Sequence, residues 1–119
     1  ALLNFGHTLG HSIEKLMNFS LTHGECVAIG SLLAADISSK RGYISEQENK
    51  EIKNIYAYFD FPALPKELKA KEVVKETKHD KKMEHGKIKF ILLDQIGKAA
   101  IHQDVTPEEM LAVIEQGEV

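Results

Sequence analysis

The sequence has 119 residues, 43% hydrophobic and 28% charged, the length of one domain with ordinary globular composition, which excludes disordered and fibrous classes. Fifteen Lys and Arg against 18 Asp and Glu leave a net charge of −3, without the basic excess of a nucleic-acid surface. Apolar stretches such as Cys26–Ala35 fall far short of a membrane span, and no basic segment followed by an apolar run opens the sequence as a signal peptide would. With one cysteine, Cys26, an internal disulfide is impossible. These features predict a soluble, cytoplasmic domain with neither a membrane nor a nucleic acid as partner.

Leu3–Asn18 reads as the first helix, because Phe5, Leu9, Ile13, Leu16 and Met17 recur at three and four, with Asn4 as its N-cap. Gly6 and Gly10 fall inside it, each costing about 1 kcal/mol of helix propensity relative to Ala. That cost points to close approach of another backbone or of a ligand. Asn18–His23 leads to a second helix over Gly24–Lys40, nearly all small and apolar from Val27 to Ala35 and therefore the buried central one. Gly42 is its C-terminal cap. Ser45 and Glu48 form a capping box that opens a third helix to Tyr58, with Ile52, Ile55, Tyr56 and Phe59 as its apolar stripe.

Phe61-Pro62 and Leu64-Pro65 make an irregular link, with a short helical turn at Lys66–Leu68. Lys71–Thr77 reads as helix and His79–Gly86 as a polar loop. Lys87–Leu93 reads as a strand that returns antiparallel through Gly97–His102. Thr106-Pro107-Glu108-Glu109 starts a final helix to Glu115, with Pro at its first position. The predicted fold is mainly α with one small β-hairpin. It has no repeats, no P-loop and no glycine-rich dinucleotide fingerprint.

His7 and His11, four apart, share one face of the first helix, and His23 and Glu25 follow just beyond it. Imidazole is a common zinc ligand, and a catalytic zinc takes three protein ligands with a fourth position open. The competing explanation is three histidines that cluster without a metal or cap helix ends; the spacing leaves both standing. A second cluster, His79-Asp80-Lys81-Lys82 with Lys87 and Lys89, is either a clamp on phosphate or carboxylate or a solvated charged loop. Cys26 reads as a small core residue. Tyr43, Tyr56 and Tyr58 read as packing, and Glu108 and Glu109 as charges favoured at a helix start.

Leu3-Asn4-Phe5-Gly6-His7-Thr8-Leu9-Gly10-His11-Ser12-Ile13-Glu14 closely resembles the signature of the 3-dehydroquinate synthase family. His23-Gly24-Glu25-Cys26-Val27-Ala28-Ile29-Gly30 resembles that family's next segment, and Asp80-Lys81-Lys82, the strand Ile88–Leu93 and the Ile96-Gly97 turn follow in the same order. The ordered combination is far more specific than any single pair of histidines. Leu9, Ser12 and Cys26 depart from the residues usual in the family, and none of them is a proposed ligand.

The resemblance implies that residues 1–119 are the helical C-terminal domain of a protein whose N-terminal domain carries NAD. It implies zinc or another divalent metal held by His7, His23 and a glutamate from an upstream segment outside this sequence, so His7 and His11 are not the ligand pair. His11 matches a residue that contacts substrate phosphate and takes part in proton transfer. Asn4 and one of Lys81 and Lys82 match phosphate-binding residues. The implied reaction is that of a carbon–oxygen lyase of the shikimate pathway, which converts 3-deoxy-D-arabino-heptulosonate 7-phosphate to 3-dehydroquinate and phosphate. The implied partners are that sugar phosphate, the protein's own N-terminal domain and, at full length, a second copy of the chain.

Related sugar-phosphate cyclases such as 2-deoxy-scyllo-inosose synthase carry the same core residues, which leaves the substrate open. Iron-containing alcohol dehydrogenases have a similar helical domain, but the sequence lacks their downstream His-rich motif. From another class stands a self-contained helical metal-binding or interaction module. In the family an arginine and a small residue precede the signature, and Ala1 takes the small residue's place. The sequence thus starts where cleavage after that arginine would cut. The expectation is a C-terminal fragment that folds on its own core but is inactive.

Overall fold

The computed structural model describes residues 6–18, 20–61, 64–78, 83–84, 87–88 and 90–117. In chain order these form α1 (His7–Leu16), α2 (His23–Lys40), α3 (Glu46–Tyr58), α4 (Ala70–Thr77), β1 (Met83–Glu84), β2 (Lys87–Ile88), β3 (Phe90–Gln95), β4 (Lys98–His102) and α5 (Pro107–Gly117). The architecture is mainly helical, as the apolar periodicity predicts.

Three helices start on the same device. Thr22 accepts from the Glu25 amide at 3.1 Å while Glu25 accepts from the Thr22 amide at 2.9 Å, and Ser45–Glu48 and Thr106–Glu109 repeat the arrangement at α3 and α5. Each box satisfies two amides that the first helical turn leaves without partners. Helix α1 differs. It starts at His7 rather than Leu3, behind Gly6 at φ 80°, a left-handed conformation that an L side chain resists. Asn4, the expected cap, lies outside the described residues.

Helix α2 is the central rod. Its Cys26, Ile29, Leu33, Ala34 and Ile37 share one core with Leu9 and Ile13 of α1, Val73 and Val74 of α4, Phe90 and Leu92 of β3, and Met110, Val113 and Ile114 of α5. Burying one such large aliphatic side chain contributes about 1.5–3 kcal/mol; α2 gives α1, β3 and α5 a surface, while α4 packs on α1 and α5. The hairpin β3–β4, in register from Phe90↔His102 to Leu93↔Ala99 and shifted by one residue before Gln95↔Lys98, is pinned to α2 by Ser38, whose hydroxyl accepts from the Leu93 amide at 3.0 Å and donates to the Ala34 carbonyl at 2.9 Å.

Helices α1 and α2 touch backbone to backbone. A Cβ on Gly10 would lie 2.8 Å from the Cys26 carbonyl oxygen, and one on Gly30 would lie 2.6 Å from the Gly10 nitrogen and press on the Gly6 carbonyl. The approach that the glycines of α1 predicted is therefore that of another helix.

The opposite end of α2 is closed by Arg41. Its guanidinium donates to both Glu109 oxygens at 2.7 and 2.8 Å, to the Asp104 carboxylate at 3.0 Å and carbonyl at 3.2 Å, and to the Tyr43 hydroxyl at 3.4 Å. Beside it, Asp94 lies 2.8 Å from His102 Nε2. Glu109 is thus more than a favourable charge at a helix start.

Several local expectations change. Strand β3 begins at Phe90, and Lys87–Ile88 pairs instead with Met83–Glu84, so part of the expected loop is a strand. Residues 66–67 form a turn, not helix. The apolar stripe of α3 is not core: Ile55 is 56% and Phe59 64% exposed, and Tyr58 is 81% exposed rather than packed. The reason is that α3 meets α2 through polar groups, with Asn49 Nδ2 and Lys53 Nζ both on Asp36 Oδ1 at 2.8 and 2.9 Å. Among the described residues no helix is long and apolar enough to cross a membrane.

Candidate functional site

His7 is the first residue of α1 and His23 the first of α2. Because the glycines let the two helices touch, these separate starts come together, with the imidazole rings edge to face at 81° and their centroids 5.5 Å apart. His23 is 62% exposed, and its Nδ1 lies 3.2 Å from Oε1 of Glu14, a carboxylate only 13% exposed on the next turns of α1. Two imidazoles side by side, one braced by a carboxylate, form a donor set suited to a borderline-soft divalent ion. Among the described residues no group of three His, Cys, Asp or Glu converges on one metal-sized centre. What the described residues bring together here is two imidazole rings and one carboxylate.

The other candidates divide. His11 is exposed, one turn along α1, and lines the α1–α4 groove with Ser12, Lys15 and Glu76. Lys15 and Glu76 face each other across it at 3.9 Å. Glu25, close to His23 in sequence, is committed to its capping box. Cys26 is fully buried, and burial, reinforced by the charges of Glu14 and Glu25, pushes its thiol up, which keeps it protonated and inert as nucleophile or ligand. Asn4, Lys81 and Lys82 lie outside the described residues. The residue that sequence reasoning missed is Glu14: it closes the first motif, but only the fold brings it to His23, nine positions on.

Residues 1–83 match the family model described as 3-dehydroquinate synthase C-terminal. Proteins called 3-dehydroquinate synthase from Dehalococcoides mccartyi and Nitrosospira multiformis are 37% and 42% identical over 115 and 106 residues, 97% and 88% of this chain. The chain spans about a third of the length of these curated relatives, 32% and 29%. Among solved structures, 2-epi-5-epi-valiolone synthase from Streptomyces hygroscopicus, with NAD+ and Zn2+ bound, superposes with a TM-score of 0.87 at 26% identity, covering 98% of this chain and 32% of that one. A 2-deoxy-scyllo-inosose synthase complexed with carbaglucose-6-phosphate, NAD+ and Co2+ gives 0.75 at 25%, covering 96% and 33%. The motifs, the helical architecture and these matches agree: the chain belongs to the 3-dehydroquinate synthase family and corresponds to its C-terminal part.

Proposed function

We propose that this chain is the metal- and substrate-binding domain of a 3-dehydroquinate synthase, and that it acts with an N-terminal NAD-binding domain on 3-deoxy-D-arabino-heptulosonate 7-phosphate. The observation that carries the reading is the ring pair, since His7 and His23 start two different helices and meet at 5.5 Å. The choice among cyclases rests on identity, which is 37–42% to proteins named 3-dehydroquinate synthase and 25–26% to the two other cyclases.

In this reading His7 and His23 hold a divalent metal, with a glutamate from the N-terminal part as third ligand. When bound, the metal supplies Lewis acidity toward the substrate's hydroxyl oxygens and the dinucleotide supplies a hydride acceptor. His11, exposed in the α1–α4 groove, binds the substrate phosphate and moves a proton, and Asn4 with Lys81 or Lys82 completes the phosphate clamp. The 119 residues alone are inactive, because the dinucleotide and the third ligand come from elsewhere.

Metal analysis and kinetics of the two-domain protein test this. His7→Ala and His23→Ala should each lose the bound metal, while His11→Ala keeps it and loses about 10²–10⁴-fold in turnover. Metal retained by the His23 variant, or lost by the His11 variant, would overturn the assignment. Phosphate release by the 119-residue chain alone would overturn its inactivity.

A further inference from the structure

We propose that Glu14 is a positioning residue for His23, which fixes the imidazole's tautomer so that Nε2 is the nitrogen left for the metal; this rests on the metal-site reading above. The argument is one of hydrogen-bond inventory. An ionised carboxylate only accepts, so the 3.2 Å contact between Glu14 Oε1 and His23 Nδ1 requires the proton to be on Nδ1. The neutral ring then has its lone pair on Nε2. Free neutral imidazoles of histidine prefer the opposite tautomer, with the proton on Nε2, so the contact selects the minor form before any ion arrives. A ligating histidine whose other nitrogen donates to a carboxylate is also the more basic ligand.

Burial makes Glu14 suited to this role. Its side chain is 13% exposed against 62% for His23, so a well-held, poorly hydrated carboxylate orients a ring that solvent would otherwise leave free to rotate. The neighbouring acids do other work: Glu25 belongs to the Thr22 capping box and Glu76 faces Lys15. The same closeness of α1 and α2 that pairs the rings sets this contact. Glu14 is thus part of how the fold presents His23, without being a ligand itself.

Two readouts test the proposal. In the 119-residue chain, nitrogen-15 shifts of neutral His23 should show Nδ1 protonated and Nε2 bare, and Glu14→Ala should swap them toward the Nε2–H form. In the two-domain protein, zinc affinity measured against a competing chelator should fall about 10–100-fold in Glu14→Ala. Glu14→Gln, which keeps an acceptor oxygen without charge, should recover part of that loss and serves as the folding control. Unchanged affinity or an unchanged tautomer in Glu14→Ala overturns the positioning role. Loss of zinc as complete as in His23→Ala overturns it too, in favour of direct ligation. Should His7→Ala and His23→Ala keep their zinc, the metal-site reading fails, whereas zinc lost there but unaltered by Glu14→Ala fails this inference alone.

Discussion

The two ends of α2 use polar groups in opposite ways. At its C-terminal end Arg41 is 14% exposed and donates to Glu109, Asp104 and Tyr43, so one guanidinium ties α2 to the start of α5 and the segment before it. At its N-terminal end His23 is 62% exposed, with one carboxylate at 3.2 Å and one neighbouring ring. A buried charge is tolerated only where its hydrogen-bonding capacity is matched inside the protein. His23, by contrast, touches a carboxylate through one nitrogen and leaves most of its ring exposed to solvent. The contrast separates a polar group that holds the fold from one that the fold holds out.

The strongest test of that contrast lies where backbone, not charge, makes the site. Gly30→Ala would set a methyl group against the Gly6 carbonyl and 2.6 Å from the Gly10 nitrogen, and backbone cannot step aside as a flexible side chain can. Overpacking typically costs 1–3 kcal/mol; here we expect about 3 kcal/mol or more in denaturant unfolding. The His7–His23 ring pair should separate as well, read by loss of metal affinity in the two-domain protein. A Gly30→Ala variant with unchanged midpoint and affinity would show that the helices do not touch.

The C-terminal end should break more gently and in a pH-dependent way. Arg41→Ala removes hydrogen bonds between charged partners worth about 1.5–3 kcal/mol each when well buried. Glu109 is 31% and Asp104 73% exposed, so solvent screens much of this, and a total near 2 kcal/mol is expected. The hydrogen bond from Arg41 holds the Glu109 carboxyl below its ordinary value of 4.5, and Arg41 lowers Asp104 in the same way. A depressed carboxyl stabilises the fold fully above its unfolded value and loses that contribution as pH falls through its folded value. The gap between wild type and Arg41→Ala should therefore be constant near neutrality and shrink below about pH 4.5. A gap that widens in acid would contradict the ion pair.

Much of this was legible because it is local. The 3.6-residue periodicity and the run of small residues from Val27 to Ala35 reveal α2 as the buried rod, and Ser45 with Glu48 marks the start of α3. Thr22-x-x-Glu25 and Thr106-x-x-Glu109 carry the same box and were equally readable. What depends on long-range placement was not. Arg41 meets Glu109 across 68 positions, and nothing in either neighbourhood announces it. Glu14 likewise reads as an ordinary helical acid until α1 lies on α2. At the candidate site the motif makes the histidines recognisable, but their pairing follows from Gly6, Gly10 and Gly30, whose role periodicity cannot express.

The smallest expected effect concerns a stripe that periodicity assigns to the core. Ile52, Ile55, Tyr56 and Phe59 recur at helical spacing, yet Ile55 is 56% exposed and Asn49 is the buried residue of α3. A stripe at the right period predicts that a helix has two faces, not that the neighbour meets the apolar one. Here Asp36 of α2 draws the polar side of α3 inward through Asn49 and Lys53. Ile55→Gln, a change to a slightly better helix former at a half-open position, should shift stability by no more than about 0.5 kcal/mol. Ile13→Ala, at a fully buried site of the same residue type, should cost about 2–5 kcal/mol. Paired denaturant titrations of the 119-residue chain measure both. A loss above about 2 kcal/mol for Ile55→Gln would place the outer face of α3 in a core after all, since only a buried isoleucine carries that much.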